Sequence, residues 1–352
     1  MRRVFVCVIA LLVSACGYNP EEPLYDTQAN PSGFPQQALR MISLVETDSL
    51  RTVERANIEF GELYVKHPAL LDDSDWRTII SRMGSRFTLR AEQELKNGLP
   101  GFESAANYYT LAAFARPEDK AAQRMARLLE PWLRAKQSGH ISSDLESPPR
   151  NSQQLHQQLE SFRLFLFGDS LSQMFAREML QPELVKLINR SRDLVRTMQD
   201  NLSLADRCLL ASMGVIAPPP NTQAVFADPD IALLTHRLTR VGDGSLRLEL
   251  YLLPRTAVAE DFTVAVNARL PTDPEAANPT ERPGASFDFR PSPSTSSWAK
   301  GELVALGQML PVTGIADSLW VGLYYDSDQG RRWAKLANTH DTLLTLSRAG
   351  TP

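Results

Sequence analysis

Cysteine is scarce in this chain: Cys7, Cys16 and Cys208 are the three in 352 residues. If the first two belong to an export leader and its processing site, Cys208 stands alone, and an intrachain disulfide is excluded. Its context, Leu204 to Ala211, is a helical apolar stripe, so it reads as a buried structural thiol; Arg207 beside it is the only nearby cation a reactive thiol could use. Histidine is equally thin. His67, His140, His156, His236 and His340 are scattered with no paired spacing, which gives no zinc-type motif. No glycine-rich phosphate loop is present. Nor is there an excess of positive charge: 37 Lys and Arg face 41 Asp and Glu, for a formal net charge of -4. That balance argues against nonspecific nucleic-acid binding, which needs a basic face. Beyond the first sixteen residues no apolar run reaches membrane-spanning length.

The first sixteen residues are the most specific part. Arg2 and Arg3 are followed by a short apolar core, Val4 to Val13, and then by Val13-Ser14-Ala15-Cys16. This has the layout of a secretory signal, too short to span a bilayer comfortably. It resembles the bacterial lipoprotein class, in which the leader is cut before a lipid-modified cysteine. The resemblance implies a signal peptide over 1–15, a mature protein starting at an acylated Cys16, and membrane attachment through its lipid. Gly17 stands where an aspartate would signal inner-membrane retention, so the implied address is the outer membrane, facing the periplasm. Loss of Arg2 and Arg3 would lower the formal net charge from -4 to -6. Residues 16–35, with four prolines and no apolar period, read as a tether.

From 36 to 215 the period is helical. Asp72-Asp73-Ser74-Asp75 opens a helix that runs to Asn97, where Gly98 and Pro100 stop it. Over 102–130, Ala105, Ala106, Tyr108, Tyr109, Leu111 and Ala112 are followed by a tight Arg116-Pro117-Glu118-Asp119 connection and a second helix. This unit resembles a tetratricopeptide repeat, which implies an array of helical hairpins; an irregular helical bundle is the alternative. Ser203-Leu204-Ala205-Asp206 reads as a capping-box start for the last helix.

Pro218-Pro219-Pro220 places a linker at 216–222. Over 223–352 the period becomes two. Leu246, Leu248, Leu250 and Leu252 alternate with Arg247, Glu249 and Tyr251. About eight short strands predict an antiparallel β-sandwich, so the expected fold class is multidomain, α then β. Strand 318–326 is apolar on both faces and is expected either at the centre of its sheet or with its second face packed on the helical half. Trp298 to Glu302, Leu319 to Tyr324 and Gly330-Arg331 resemble a pattern of small immunoglobulin-like modules at the C-terminal end of bacterial surface proteins. That likeness implies a non-catalytic module and names no ligand.

Three motifs invite chemistry. Phe167-Gly168-Asp169-Ser170-Leu171 resembles the nucleophile block of GDSL (SGNH) esterases, which would make Ser170 a nucleophile just after a strand. No Asp-x-x-His triplet occurs anywhere to supply its base, and no Gly-x-Asn block follows. A helix–turn–helix corner with Asp169 as N-cap is the competing reading. Asp326-x-Asp328-x-Gly330 resembles half of a calcium loop, but the position for a bidentate acid is Ala337, so a hairpin turn is expected. Trp298, Trp320, Tyr324, Tyr325 and Trp333 cluster in sequence; exposed on a sheet they could stack on sugars, and otherwise they pack a core. The expectation drawn from all of this is a lipid-anchored, non-catalytic scaffold with an envelope protein partner and no cofactor, metal or nucleic acid. A glycan-binding module is the alternative, and an esterase using Ser170 the third reading.

Overall fold

The computed structural model describes residues 74–347, apart from 142, 242–244, 272–280, 311–317, 338 and 340. The leader, Cys16, the tether, the helices expected before Ser74 and the Gly242-Asp243-Gly244 turn lie outside the described residues. Helices occupy the N-terminal part and antiparallel sheets follow. Contacts divide the chain into two compact units, one ending at Leu133 and one beginning at Arg134. This division does not fall in the proline run 218–220. The helices from Ser152 to Ser212 therefore share a unit with the strands.

In the first unit, α1 (Ser74–Leu95) turns through a short 3-10 segment at Leu99–Gly101 into α2 (Phe102–Ala115). Gly98 makes the turn with φ 69°, a left-handed conformation that favours glycine. The two helices pack along their length through Met83, Phe87 and Ala91 on α1 and Ala105, Tyr108, Tyr109 and Ala112 on α2, all buried. α3 (Lys120–Gln137) follows, and Phe102 meets Trp132 edge-on at 5.5 Å.

In the second unit, α4 (Ser152–Leu166) is capped by Asn151, whose side chain accepts from the Gln154 amide. α5 (Ser170–Phe175) continues through a π turn at Ala176–Leu180 into α6 (Gln181–Asn189). Pro182 has no amide hydrogen to donate, and the widened turn before it is where the helical ladder is adjusted. α7 (Arg192–Met198) and α8 (Leu204–Ser212) complete the helices. Ser203 caps α8 as its sequence suggests: its Oγ accepts from the Asp206 amide and donates to the Asp206 carboxylate.

The strands are β1 (Ala224–Phe226), β2 (Ile231–Arg240), β3 (Leu246–Pro254), β4 (Thr263–Pro271), β5 (Glu281–Phe289), β6 (Val304–Leu310), β7 (Ser318–Ser327), β8 (Gly330–Trp333) and β9 (Leu344–Ser347). One sheet has the order β1-β2-β3-β6; the other runs β5-β4-β7-β8, with β9 also on β7. β7 is internal, pairing with β4 along one edge and with β8 and β9 along the other. The sheets share one apolar core, with Ile231, Leu233, Leu248, Leu250 and Leu252 from the first and Val264, Val266, Leu319, Val321 and Leu323 from the second. The opposite face of the first sheet is not open to solvent. α4 and α8 cover it: Phe167 lies on β6 at Gly307, where any Cβ would sit 2.0 Å from the ring.

Candidate functional site

Under those helices, α4, α8, β2 and β3 bring seven charged or polar groups together. Arg163 projects from α4 and is fully buried, and every nitrogen of its guanidinium is used. Nε donates to Glu249 Oε2 at 3.0 Å, and Nη1 donates to Glu160 Oε1 at 2.8 Å and Asp206 Oδ1 at 2.7 Å. Nη2 reaches the Tyr251 hydroxyl at 3.3 Å, and that hydroxyl donates to Glu249 at 2.9 Å. Arg247 Nε donates to the other Glu249 oxygen at 3.0 Å. Arg237 from β2 holds Glu160 at the outer side. Three arginines therefore face three carboxylates, Glu160, Asp206 and Glu249, and the formal charge is zero.

Burial by itself would push Asp206 up. The guanidinium of Arg163, with hydrogen bonds from Ser203 and His156, outweighs it and holds the carboxyl below its ordinary range. Glu160 follows the same logic, with burial overcome by Arg237, Arg163 and Arg247. For Arg163, burial pulls the pKa down, but Tyr251, Glu249, Asp206 and Glu160 carry it well above the usual arginine value. Burial pushes the Tyr251 phenol far up, so it stays a neutral donor.

His156, half exposed on α4, sits at the mouth of this cluster with Nδ1 3.0 Å from Asp206 Oδ2 and Nε2 4.0 Å from Glu160. An ionised carboxylate only accepts, so Nδ1 carries the proton. Donor atoms of His156, Glu160 and Asp206 lie within 4.8 Å of one another, a set that could hold a cation by type and spacing. Its charge argues otherwise. Both carboxylates are already neutralised by guanidinium groups, and a divalent ion would leave the buried cluster at a net +2. The five histidines look scattered in sequence; the fold brings this one to two acids. The available signal was on α4, where Gln158 and Arg163 widen the apolar stripe of Leu155, Leu159, Phe162 and Leu166.

The residues singled out from sequence fall elsewhere. Ser170 is exposed in the first turn of α5, and the segment before it is helix α4, not the strand that the esterase likeness requires. Asp169 caps α5 by accepting from the Ser172 amide and lies 3.6 Å from Arg134. Asp326 to Gly330 forms the β7–β8 hairpin, with Gly330 at φ 102°. Cys208 is buried, and that burial pushes its thiol up to about 12.

The five aromatics do not form one row. Trp298 is in the core between the sheets, and its indole donates to the Pro293 carbonyl. Tyr325 faces the same core, edge-on to Phe262. Trp320, Tyr324 and Trp333 share the other face of the second sheet, where Tyr324 is buried and the two indoles are half-buried. No family model, curated protein or solved structure matches this chain.

Proposed function

We propose that this protein is a lipid-anchored cell-envelope lipoprotein that acts as a non-catalytic scaffold for an envelope protein partner. The observation that carries the reading is the Val13-Ser14-Ala15-Cys16 lipobox behind a short charged-then-apolar leader. Acyl chains on Cys16 would confine the body to the periplasmic face of the outer membrane and raise its effective concentration there. Among the described residues no helix is long and apolar enough to cross a membrane, which accords with attachment by lipid. The helical hairpin α2–α3 is read as one tetratricopeptide-like unit presenting a platform, and the two sheets as an immunoglobulin-like sandwich that docks or spaces it. The most charge-rich cluster supports a structural role, since its acids and arginines saturate one another.

The test is intact mass and membrane fractionation of the native protein beside a Cys16→Ser variant, followed by crosslinking in the intact envelope. A diacyl or triacyl mass, loss of the variant from the membrane fraction, and a crosslinked partner that persists after solubilisation are expected. An unmodified soluble product overturns the anchor. An acylated product with no stable partner overturns the scaffold.

A further inference from the structure

β6 lies at the end of its sheet, with β3 on one side and, among the described residues, no strand on the other. The ladder shows which of its backbone groups are left over. At the mouth of the β2–β3 hairpin the Val241 amide donates to the Ser245 carbonyl, so every second residue from there, Arg247, Glu249 and Tyr251, turns its N–H and C=O to β2. Leu246, Leu248, Leu250 and Leu252 turn theirs to β6, where they face Leu310, Gln308, Leu306 and Val304. Pro254, next in that series, accepts from the Gly301 amide on the same side. The N–H and C=O groups of Ala305, Gly307 and Met309 consequently point away from β3, into the open edge. The one hydrogen bond made to them among the described residues comes from the Gln308 side chain, which donates to the Met309 carbonyl at 3.3 Å.

A free edge is a template for another strand, and sheets guard theirs with charge, proline, bulges or short length. The other ends of these two sheets are guarded. β1 is three residues long and is bonded to the chain after β8, Ala227 donating to Lys335 and Ala337 to Val225. β5 contains Pro283 and the exposed Asp288. β8 is four residues long and carries Arg331 and Arg332, both exposed. β6 has none of these devices. Its seven residues, Val304 to Leu310, are uncharged, lack proline and keep an unbroken register with β3. Successive turns of α4 step across this sheet, with Glu160 at Arg237 of β2, Arg163 at Glu249 of β3 and Phe167 at Gly307 of β6. The α4–α5 corner after Phe167 therefore reaches the β6 edge, and Leu164 and Met174, which flank that corner, are each 41% exposed.

We infer that β6 is a dimerisation strand, which pairs antiparallel with β6 of a second copy of this chain and joins two four-stranded sheets into one. N–H and C=O groups that point outward at every second residue are matched by extended backbone, not by a helix or a small ligand. The fit of β6 to itself selects a second copy over a foreign strand. A two-fold axis at Gly307 sets Ala305 opposite Met309 of the second copy and Gly307 opposite its own counterpart, so all three outward residues gain a backbone partner. The same register puts a small side chain beside a long one on the helix-covered side. On the other side it sets Val304 beside Leu310 and Leu306 beside Gln308, carrying the apolar core across the axis. An edge without charge pairs with itself at no electrostatic cost and gives a charged foreign segment nothing to recognise. Seven paired residues bury less than the about 1,200 Å² of a tight interface, so the dimer is reversible.

The test is sedimentation velocity of the full chain across a dilution series, with Cys16→Ser so that acylation plays no part. A concentration-dependent dimer is expected. Met309→Lys puts a charge on the edge, and Met309→Pro removes an outward N–H without touching the ladder to β3; both should be monomers where the parent is a dimer. Unchanged circular dichroism shows that these variants still fold. Arg332→Ala, on β8, should dimerise as the parent does. Ala305→Cys combined with Met309→Cys tests the register without weakening the edge: opposed residues lie about 5.5 Å apart at Cα, within disulfide reach, and mild oxidation should link the two copies. A monomer at every concentration overturns the inference, as does a dimer that both Met309 variants leave intact or that the cysteine pair fails to link. None of these results depends on whether Cys16 is acylated or an envelope partner is found.

Discussion

Arg163 is the residue on which the helices and the first sheet converge. A buried ion pair gains little net stability over a hydrophobic substitute, yet removing one partner strands the other without water. Arg163→Met should therefore cost about 3–5 kcal/mol, because Glu249 and Asp206 stay buried without their shared guanidinium. Arg163→Met combined with Glu249→Leu restores the charge balance and should recover part of that loss, with Asp206 still lacking its guanidinium and Arg247 its carboxylate. Urea unfolding of the two variants measures the difference, and equal losses would mean that the pairing is not what matters. Acid dependence belongs at this scale too. Asp206 and Glu160 have native pKa values held below their ordinary range. Their contribution is complete above about pH 4, the ordinary carboxylate value, and is lost as pH falls through the depressed native values. The unfolding midpoint should fall with pH in that acid window. The slope should shrink in Arg163→Met, where both carboxylates lose a common partner; an unchanged slope would assign it to other acids.

At the scale of elements, Gly307 and the α4–α5 corner depend on each other. Phe167 presses on β6 where only a hydrogen fits, so Gly307→Ala should destabilise by about 1–3 kcal/mol through overpacking. Adding Phe167→Leu should relieve part of it, as thermal melts of the single and double variants would show. This corner illustrates what the sequence does and does not reveal. Asn151, Asp169 and Ser203 act locally, and their capping roles are legible because a cap needs only its own next turn. The central place of β7 is legible because Leu319 and Val321 alternate with Trp320 and Tyr324, leaving no polar face. The covered side of β3 is not legible in that way. Alternation shows that Arg247, Glu249 and Tyr251 share a face, but not that helices 40 to 90 residues away close over it. A polar strand face looks the same in sequence whether water or an arginine from α4 satisfies it. The aromatics show the same limit, since closeness in sequence put five rings together, while the pleat of β7 sends Tyr325 inward and the turn before β6 puts Trp298 in the core, away from Trp320 and Trp333.

For the whole molecule, the compact unit beginning at Arg134 makes a claim about which pieces of chain fold independently. The strands alone would expose more than a polar surface. Leu234 and Tyr251 are buried on the helix-covered side of the first sheet, and a fully buried large side chain contributes about 1.5–3 kcal/mol. Glu249 and Arg247 would also lose Arg163 and the cover that excludes water around them. A fragment of residues 223–352, cut just after the proline run, is thus expected to be unfolded, aggregated or molten, with broad amide resonances. A fragment of residues 134–352 keeps α4 and α8 over β3 and should unfold cooperatively, with sharp, dispersed spectra. If 223–352 unfolds with the same midpoint as 134–352, the helices are passengers on a self-sufficient pair of sheets. The buried charge cluster would then stabilise their docking and not the sheet beneath them.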